Sequence, residues 1–248
     1  HDVRFNQTFY APLSSGRALL FRLLNGMILS EPSECSIPQI PILYEDKDLL
    51  IVGKPAKLAS VPSVTEKINC LSLLARDYGP LYDIHRLDMA TSGVIAYAKN
   101  RETQSAMQEA FRTRKVVKNY IALLEGDFKN PAGTISLPLG VNRLDRPRQC
   151  VLPTAAGGKD AVTHFEVLGE RRLPTGAFGT LVRLVPHTGR THQLRVHCAH
   201  QSGLGTPIFG DVFYGREGQA AETNSRRLCL HAERLSFFHP ITGKLINV

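Results

Sequence analysis

The sequence predicts a mixed α+β domain built on a largely antiparallel sheet. Short apolar segments of strand length recur along the chain in pairs separated by turn residues, and fewer segments with helical periodicity lie between them. Paired strands with interspersed helices are typical of an α+β architecture. The chain has 248 residues, of which 43% are apolar, so it is long enough for one large domain with a substantial core.

Residues 1–40 differ from the rest and are predicted to be an N-terminal appendage of a main domain that spans 41–248. The apolar run 18–24, followed by Met27 and Ile28 one turn further on, is typical of a short helix. A proline-rich connection then leads into the main domain. The segment is too short to bury a core of its own, so we expect it to dock on that domain.

From residue 42 onward, strands and helices alternate. Two apolar segments, 42–44 and 49–52, flank a charged four-residue turn, which predicts a β-hairpin. Asn100 is a suitable N-cap for a helix over 101–114. Further strands are predicted over 94–98, 116–124, 133–137, 162–168, 178–185 and 228–238, further helices over 71–78 and 191–200, and a loop over 203–215.

The charge and cysteine content narrow the possible functions. With 30 Lys and Arg against 22 Asp and Glu, the formal net charge is 30 − 22 = +8, which suits a polyanionic partner or serves solubility alone. No apolar run approaches the roughly 20 residues that a membrane-spanning helix needs. The five cysteines are widely spaced and lack a C-x-x-C pair. This spacing argues against disulfides or a zinc knuckle and favours a reduced, cytoplasmic location.

The densest polar cluster is 84–93, Ile-His-Arg-Leu-Asp-Met-Ala-Thr-Ser-Gly, immediately before a predicted strand. Functional groups on a loop held by a rigid sheet are a common active-site arrangement, so Asp88 is a candidate nucleophile or general base. The alternative is a structural turn in which Asp88 accepts backbone N–H bonds and Arg86 is a solvated neighbour. The pattern alone leaves both interpretations open.

A second cluster, 187–197, contains several histidines and arginines. In a helix that starts at 191, His192 and Arg195 would lie three residues apart on one face. The alternative is a helix that packs its apolar side inward and exposes the bases to water. Four histidines at 187, 192, 197 and 200 also suggest a metal. However, the H-E-x-x-H spacing is missing and no Asp or Glu lies between 171 and 210.

Several familiar motifs are absent, among them G-x-S-x-G, the P-loop and a G-x-G-x-x-G that opens a helix. The sequence therefore gives no support for a nucleotide cofactor or for that type of hydrolase. The basic residues instead gather in three groups, 112–118, 143–148 and 190–195, with Tyr120 just beyond the first. Such groups near an aromatic ring suit phosphate contacts and base stacking, with solvated surface charge as the alternative for each.

The segment 85–93 resembles the signature of the RluA family of RNA pseudouridine synthases. Further similarities follow in the family's order and together cover about 41–248, at 53–56 (Gly-Lys-Pro-Ala), 118–120 (Lys-Asn-Tyr), 188–197, 210–215 (Gly-Asp-x-x-Tyr-Gly) and 230–232 (Leu-His-Ala). Two features depart from the pattern. Thr206 stands where many members have histidine, and 1–40 does not resemble the S4 RNA-binding domain that several members carry.

The resemblance implies a pseudouridine synthase fold with a central RNA-binding cleft, and isomerisation of uridine to pseudouridine in RNA without a metal, nucleotide or organic cofactor. It assigns the essential aspartate to Asp88, the tyrosine that lies against the target base to Tyr120, and the arginine that pairs with the aspartate to Arg195. A cation beside a carboxyl group favours its ionised form. Arg86 corresponds to the arginine that fills the space left by the flipped uridine.

Seven other residues are predicted to bind RNA, namely His85, Thr91, Lys118, Arg146, Arg148, Arg190 and His192. The RNA is expected to be a stem-loop of 23S rRNA, of tRNA or of both, and the protein a monomer with no membrane or obligate protein partner. Two other hypotheses stay open at this point. One is a non-catalytic RNA-binding or chaperone protein on the same scaffold, and the other is a metal-dependent hydrolase that uses the histidines.

Overall fold

The structure is a computed structural model that describes residues 39–63, 66–128, 130–173, 175–215 and 227–248. The helices there are α1 Cys70–Tyr78, α2 Arg101–Arg112 and α3 Gln193–Ala199. The strands are β1 Ile42–Glu45, β2 Leu49–Lys54, β3 Tyr82–Asp83, β4 Ser92–Ala98, β5 Val117–Leu124, β6 Ala132–Ser136, β7 Leu139–Val141, β8 Gln149–Val151, β9 Val162–Arg172, β10 Phe178–Pro186, β11 Leu230–Phe238 and β12 Leu245–Asn247. The helix predicted in 1–40 lies outside the described residues, so the division at residue 40 stays a prediction.

Ten strands form one sheet in the order β1-β2-β4-β11-β5-β10-β9-β6, with β3 beside β4 and β12 beside β11. Among the described residues, the paired strands of this sheet are antiparallel except for β4 and β11, which run parallel at Ser92–Gly93 and His231–Ala232. β7 and β8 form a separate antiparallel hairpin. The predicted α+β fold with a mixed, largely antiparallel sheet is confirmed.

The central strands are buried on both faces, which explains their continuous apolar sequences. Neighbouring side chains of β2 point to opposite faces of the sheet. Ile51 packs in a core cluster with Met107 of α2, and Val52 packs in a second cluster with Leu73 of α1. A helix therefore covers each face. None of the helices in the described ranges is long and apolar enough to span a membrane.

Most predicted elements are confirmed, with shifts at their ends. Asn100 caps α2 as predicted, since its Oδ1 accepts the N–H of Thr103 at 2.8 Å. The helix ends at Arg112 rather than 114 because Arg114 has a left-handed backbone, with φ of 60°. Four strands were not predicted, β3, β7, β8 and β12, because two or three residues are too few to show a period.

The helix predicted over 191–200 begins two residues later, at Gln193. His192 has φ 52° and ψ 18°, so it occupies the N-cap in a left-handed conformation. The side-chain oxygen of Gln193 accepts the Arg190 N–H at 3.0 Å and the Thr188 hydroxyl at 2.7 Å, and these bonds fold the preceding loop back on the helix. The prediction that His192 and Arg195 share a helix face was therefore wrong, although both side chains approach the same carboxylate.

Candidate active site

A cleft of about 870 Å³ opens where the loop before β4, the start of β5 and the loop before α3 meet. It brings together the two polar clusters that are far apart in the sequence. Nine of the eleven residues singled out from the sequence line this cleft: His85, Arg86, Asp88, Thr91, Lys118, Tyr120, Arg190, His192 and Arg195. Arg146 and Arg148 do not line it.

Asp88 lies in a turn that closes when the N–H of Thr91 donates to the Asp88 carbonyl at 3.0 Å. The Asp88 side chain is 31% exposed, whereas Thr91 is buried. Within the described residues, no backbone N–H donates to the Asp88 carboxylate. The basic side chains that approach it, at 3.8 Å each, are those of Arg195 and His192, which favours a functional carboxylate over one that only stabilises the turn.

The residues on either side of Asp88 are fixed by bonds to the end of β2 and to the loop that follows it. The Ser60 hydroxyl accepts the Leu87 N–H at 3.1 Å and donates to the Leu87 carbonyl at 2.8 Å. The Lys54 ammonium donates to the Met89 carbonyl at 3.2 Å. Lys54 is almost fully buried, and burial lowers the pKa of its ammonium to about 8. These bonds hold the loop backbone rigid immediately before and after the aspartate.

The Ser-Gly pair that follows the loop makes the parallel junction of β4 with β11. Gly93 has φ of 114°, and a Cβ atom at this position would lie 2.2 Å from the Ala232 carbonyl oxygen. Only glycine fits so close an approach of two backbones. The neighbouring Ser92 hydroxyl bonds to Nδ1 of His231 at 2.8 Å. The junction thus fixes the start of β4, and with it the aspartate loop.

Arg195 is buried and makes two bonds to the carboxylate of Asp211, from Nε at 2.8 Å and from Nη2 at 2.6 Å. Its remaining nitrogen, Nη1, lies 3.8 Å from Oδ2 of Asp88. The guanidinium carbon also lies 4.9 Å from the ring centre of Phe213. The predicted pairing with Asp88 is therefore the outer contact of an arginine whose orientation is set by Asp211.

His192 approaches the same carboxylate oxygen from a different direction. Its Nε2 lies 3.8 Å from Oδ2 of Asp88, and its Nδ1 lies 2.8 Å from the Tyr214 hydroxyl. That hydroxyl also accepts the N–H of Gln149, the first residue of β8, at 2.7 Å. Burial lowers the pKa of His192, so the ring is neutral near pH 7. A neutral ring is thus held between Tyr214 and Asp88.

Tyr120 and Lys118 project from β5 into the cleft. Tyr120 is partly buried, and this burial, together with the negative charge of Asp88, raises the pKa of its hydroxyl. The hydroxyl is therefore protonated at neutral pH. The Lys118 ammonium donates to the Thr188 carbonyl at 3.1 Å. Its burial and the nearby Arg114 lower its pKa to about 8.

The other predicted cleft residues differ in how firmly they are held. Nε2 of His85 accepts the Ala96 N–H at 3.1 Å, and the His85 ring stacks on Phe111. Burial and the nearby Lys118 lower the pKa of His85 to about 3. Arg86 is exposed at the cleft and has no hydrogen bond or ion pair to the described residues. Arg190, also exposed, donates from Nε to the carbonyl of residue 160 at 3.0 Å.

Comparison with known proteins identifies the family of this chain. A family model described as RNA pseudouridylate synthase matches residues 48–200. The chain belongs to this family. It is 42% identical to the dual-specificity RNA pseudouridine synthase RluA of Haemophilus influenzae over 212 residues, which are 85% of this chain and 92% of that protein.

Two further comparisons agree. The synthase is 39% identical over 208 residues to the protein of the same name from Escherichia coli, covering 83% of this chain and 90% of that protein. It also matches the structure of human RNA pseudouridylate synthase domain containing 1, with a TM-score of 0.75 and 31% identity over 88% of this chain and 85% of that one. The chain is therefore an RluA-family isomerase that converts uridine in RNA to pseudouridine. This identification replaces the hypotheses of a non-catalytic RNA-binding protein and a metal-dependent hydrolase.

In this synthase the two predicted RNA-binding residues that do not line the cleft lie on the turn between β7 and β8. Arg146 is exposed there, and Arg148 forms an ion pair with Asp145, three residues before it. The guanidinium of Arg148 also lies 5.7 Å from the ring centre of Phe213. The Phe213 ring thus contacts one arginine of the turn and, in Arg195, one arginine of the cleft.

The histidines of the cleft do not form a metal-binding group among the described residues. The one group with suitable spacing there is Asp46, Asp48 and His239, outside the cleft. Nδ1 of His239 accepts the N–H groups of Ile241 and Thr242, so its Nε2 carries the proton and faces Asp46 at 3.0 Å. A protonated nitrogen is not available to a metal ion, so this group is a polar contact between two loops.

Sequence reasoning missed four residues that build the site, namely Lys54, Gln193, Asp211 and Tyr214. All four belong to segments that resemble family motifs. Asp211 and Tyr214 carried a usable signal, because both lie in the Gly-Asp-x-x-Tyr-Gly segment that resembles a family motif. No local sequence pattern predicts the hydrogen bonds that the Gln193 and Lys54 side chains make to distant backbone groups.

Proposed function

We propose that Asp88 is the catalytic residue, and that the target uridine leaves the RNA stack to enter the cleft beside it. The observation that carries this proposal is the approach of Arg195 Nη1 and His192 Nε2 to within 3.8 Å of one Asp88 oxygen. Both groups lie in a cleft of about 870 Å³, which has room for a nucleotide. An adjacent cation favours the ionised form of a carboxyl group, which is the form that the reaction requires.

The reaction is an isomerisation, so its atoms balance within the substrate. The bond from N1 of uracil to C1′ of the ribose breaks, a bond from C5 to C1′ forms, and C5 loses a proton while N1 gains one. The Asp88 carboxylate can begin the reaction by attack on the sugar, by attack on the base or by assisting formation of a glycal. Each route needs an ionised carboxylate next to the extruded nucleotide, and this carboxylate is what the proposal assigns.

Tyr120 and Arg86 are proposed to hold the flipped state. Extrusion of a stacked base costs a few kcal/mol, which contacts inside and outside the cleft must offset. The ring of Tyr120 offers a stacking surface for the base, and its hydroxyl stays protonated because burial raises its pKa. The exposed guanidinium of Arg86 is planar and has no described polar partner, so it is free to stack in the gap left in the RNA.

The proposed substrates are stem-loops of 23S rRNA and of tRNA. Support comes from the relatives of H. influenzae and E. coli, which are named dual-specificity enzymes and are 42% and 39% identical to this chain. The cationic lining of the cleft also suits an RNA backbone. Pseudouridine mapping across total rRNA and tRNA, with and without the gene, tests this. Loss of sites in both RNA classes is expected, and loss in one class alone would contradict dual specificity.

We further propose that the enzyme acts as a cytoplasmic monomer without a metal, nucleotide or organic cofactor. Full activity of the purified protein in excess chelator, at the molar mass of one chain by light scattering, is the expected result. A requirement for an added metal or cofactor, or a dimer as the active species, would contradict this part of the proposal.

The central test replaces the proposed catalytic carboxylate. Asp88→Asn and Asp88→Ala are expected to lower tritium release from RNA labelled at uridine C5 by at least about 1,000-fold, with RNA affinity retained. Asp77→Asn, an exposed aspartate of α1 outside the cleft, is the matched control and keeps full activity. Activity of the folded Asp88 variants within tenfold of the wild type would refute the proposed role of Asp88.

A further inference from the structure

We propose that His192 is a positioning residue for Asp88, fixed by Tyr214 as the tautomer that carries its proton on Nε2. The inference rests on the proposed role of Asp88 and revises the sequence-based expectation that His192 binds RNA. It is carried by a continuous set of polar contacts that runs from the N–H of Gln149 through the Tyr214 hydroxyl and the His192 ring to Asp88, with separations of 2.7, 2.8 and 3.8 Å.

The donors and acceptors in this set, together with the Asp88 carboxylate, favour one tautomer of His192. The Gln149 N–H can only donate, so the Tyr214 oxygen accepts that bond. The Tyr214 hydroxyl proton is then free to donate to Nδ1 of His192. With Nδ1 as acceptor in a neutral ring, the proton sits on Nε2 and faces Oδ2 of Asp88. The opposite tautomer would turn a nitrogen lone pair toward the carboxylate, which is repulsive.

The surroundings of His192 support an inward role over an RNA contact. Its side chain is only 10% exposed. The ring packs against both Phe213 and Tyr214, whose ring centres are 5.6 and 5.7 Å away. The charged groups that act on it are Asp88, Arg195 and Asp211. A phosphate contact would require an exposed cationic ring, whereas burial keeps this ring neutral.

The backbone of His192 also points to a functional constraint. A left-handed conformation, with φ of 52°, is uncommon for a residue that is not glycine. Such conformations persist where the surrounding structure over-determines them, and they cluster at functional sites. This conformation places the imidazole at the N-terminus of α3, beside Arg195. The side chains of His192 and Arg195 therefore face the same carboxylate oxygen of Asp88.

The distance of 3.8 Å from Nε2 to Oδ2 is longer than a hydrogen bond, and Nη1 of Arg195 lies at the same distance. Catalytic hydrogen bonds are often long without substrate and shorten in the complex. Both donors face Oδ2 of Asp88, so its Oδ1 is left to face the nucleotide. We therefore expect substrate binding to draw the carboxylate onto His192 and Arg195, with Oδ1 directed at the reacting atoms.

The experiment compares His192→Leu, which removes the N–H donor, with His192→Gln, which keeps a donor at similar reach. His192→Leu is expected to lower kcat by about 100-fold with RNA affinity within twofold of the wild type. His192→Gln should keep kcat within about fivefold, because its amide N–H replaces the imidazole donor.

Tyr214→Phe is the second variant, and it carries the test should His192→Leu fail to fold. It removes the proton that fixes Nδ1 as acceptor, so kcat should fall about tenfold with RNA affinity within twofold of the wild type. His200→Gln, at the other end of α3, is the matched control and should change neither quantity. The inference is overturned if kcat is unchanged in His192→Leu or in Tyr214→Phe, or if His192→Gln loses as much kcat as His192→Leu. It is also overturned if His192→Leu weakens RNA binding at constant kcat.

The outcomes also separate this inference from the proposal on which it rests. If Asp88→Ala remains active, the proposed role of Asp88 fails, and the inference fails with it. If Asp88→Ala is inactive while both His192→Leu and Tyr214→Phe behave like the wild type, the role of Asp88 stands and only the inference about His192 is wrong.

Discussion

Two arginine–aspartate pairs lie near the Phe213 ring, each with its guanidinium within 6 Å of the ring centre. Arg195 and Asp211 are joined by two hydrogen bonds, and their side chains are 3% and 0% exposed. Arg148 and Asp145 form the other pair, three residues apart on the turn between β7 and β8, with side chains 37% and 48% exposed. The same chemical pair is thus present once in the buried centre and once at the surface.

The difference in burial implies a difference in role. A buried guanidinium cannot exchange its partner for water, so the Arg195–Asp211 pair fixes a geometry that Asp88 uses. A surface pair is screened by solvent and contributes little to stability, so Arg148 can exchange Asp145 for an RNA phosphate at small cost. We expect changes in the centre to affect folding and kcat, and changes on the turn to affect RNA affinity alone.

The largest expected effect comes from breaking the buried pair. Asp211→Asn keeps the size of the side chain but leaves the Arg195 cation uncompensated, so we expect the free energy of unfolding to fall by about 3–5 kcal/mol. Catalytic activity should also fall, because without Asp211 the guanidinium of Arg195 is no longer oriented with Nη1 toward Asp88. Denaturant unfolding and tritium release measure the two effects.

Asp145→Asn is the matched control for this change. It breaks the exposed pair, and the free energy of unfolding should change by no more than about 1 kcal/mol, with kcat unaffected. Equal destabilisation by the two substitutions would contradict the distinction between the buried pair and the surface pair.

The second prediction concerns the backbone junction that holds the aspartate loop. Gly93→Ala places a Cβ 2.2 Å from the Ala232 carbonyl oxygen at a φ of 114°, so β4 and β11 must separate. We expect a loss of at least about 3 kcal/mol in the free energy of unfolding, since clash and backbone strain add. Gly79 also has a positive φ, of 73°, but a Cβ there would meet open space. Gly79→Ala therefore measures the backbone strain alone, and we expect it to lower the free energy of unfolding by about 1 kcal/mol. A similar loss in both variants, measured by denaturant unfolding, would show that the close approach at Gly93 is unimportant.

The contrast between the two regions also marks what the sequence could predict. The central strands β2 and β4, the cap at Asn100 and the loop that carries Asp88 followed from local patterns, because each depends on neighbours in the chain. The hairpin β7–β8 was missed because its strands are too short to show a period. The partnership of Arg195 with Asp211 and the position of His192 depend on contacts 16 and 22 residues away, which no local pattern contains.

The third prediction concerns Lys118, which lines the cleft. Its free pKa is about 8, and a bound phosphate would raise that pKa because it favours the charged form. RNA affinity is therefore full below pH 8 and should fall about tenfold as the pH rises from 7 to 9.5. Lys118→Arg stays charged throughout and should flatten this dependence. Lys54 also has a pKa of about 8 and is still present in Lys118→Arg. If RNA affinity falls equally steeply with pH in that variant, the group that titrates is not Lys118.

The smallest effect is expected at the surface turn. Arg146→Gln combined with Arg148→Gln removes two exposed cations that can contact phosphates, and RNA affinity should weaken about fivefold. The slope of log affinity against log salt should become shallower by about 1 to 2, because fewer counterions are released on binding. The Arg171→Gln and Arg172→Gln pair, at the end of β9 and outside the cleft, is the matched control and should change neither value. Since Arg148 approaches the Phe213 ring that also contacts Arg195, a fall in kcat at constant affinity would show that the turn acts on the catalytic centre, and the separation of the two regions would be wrong.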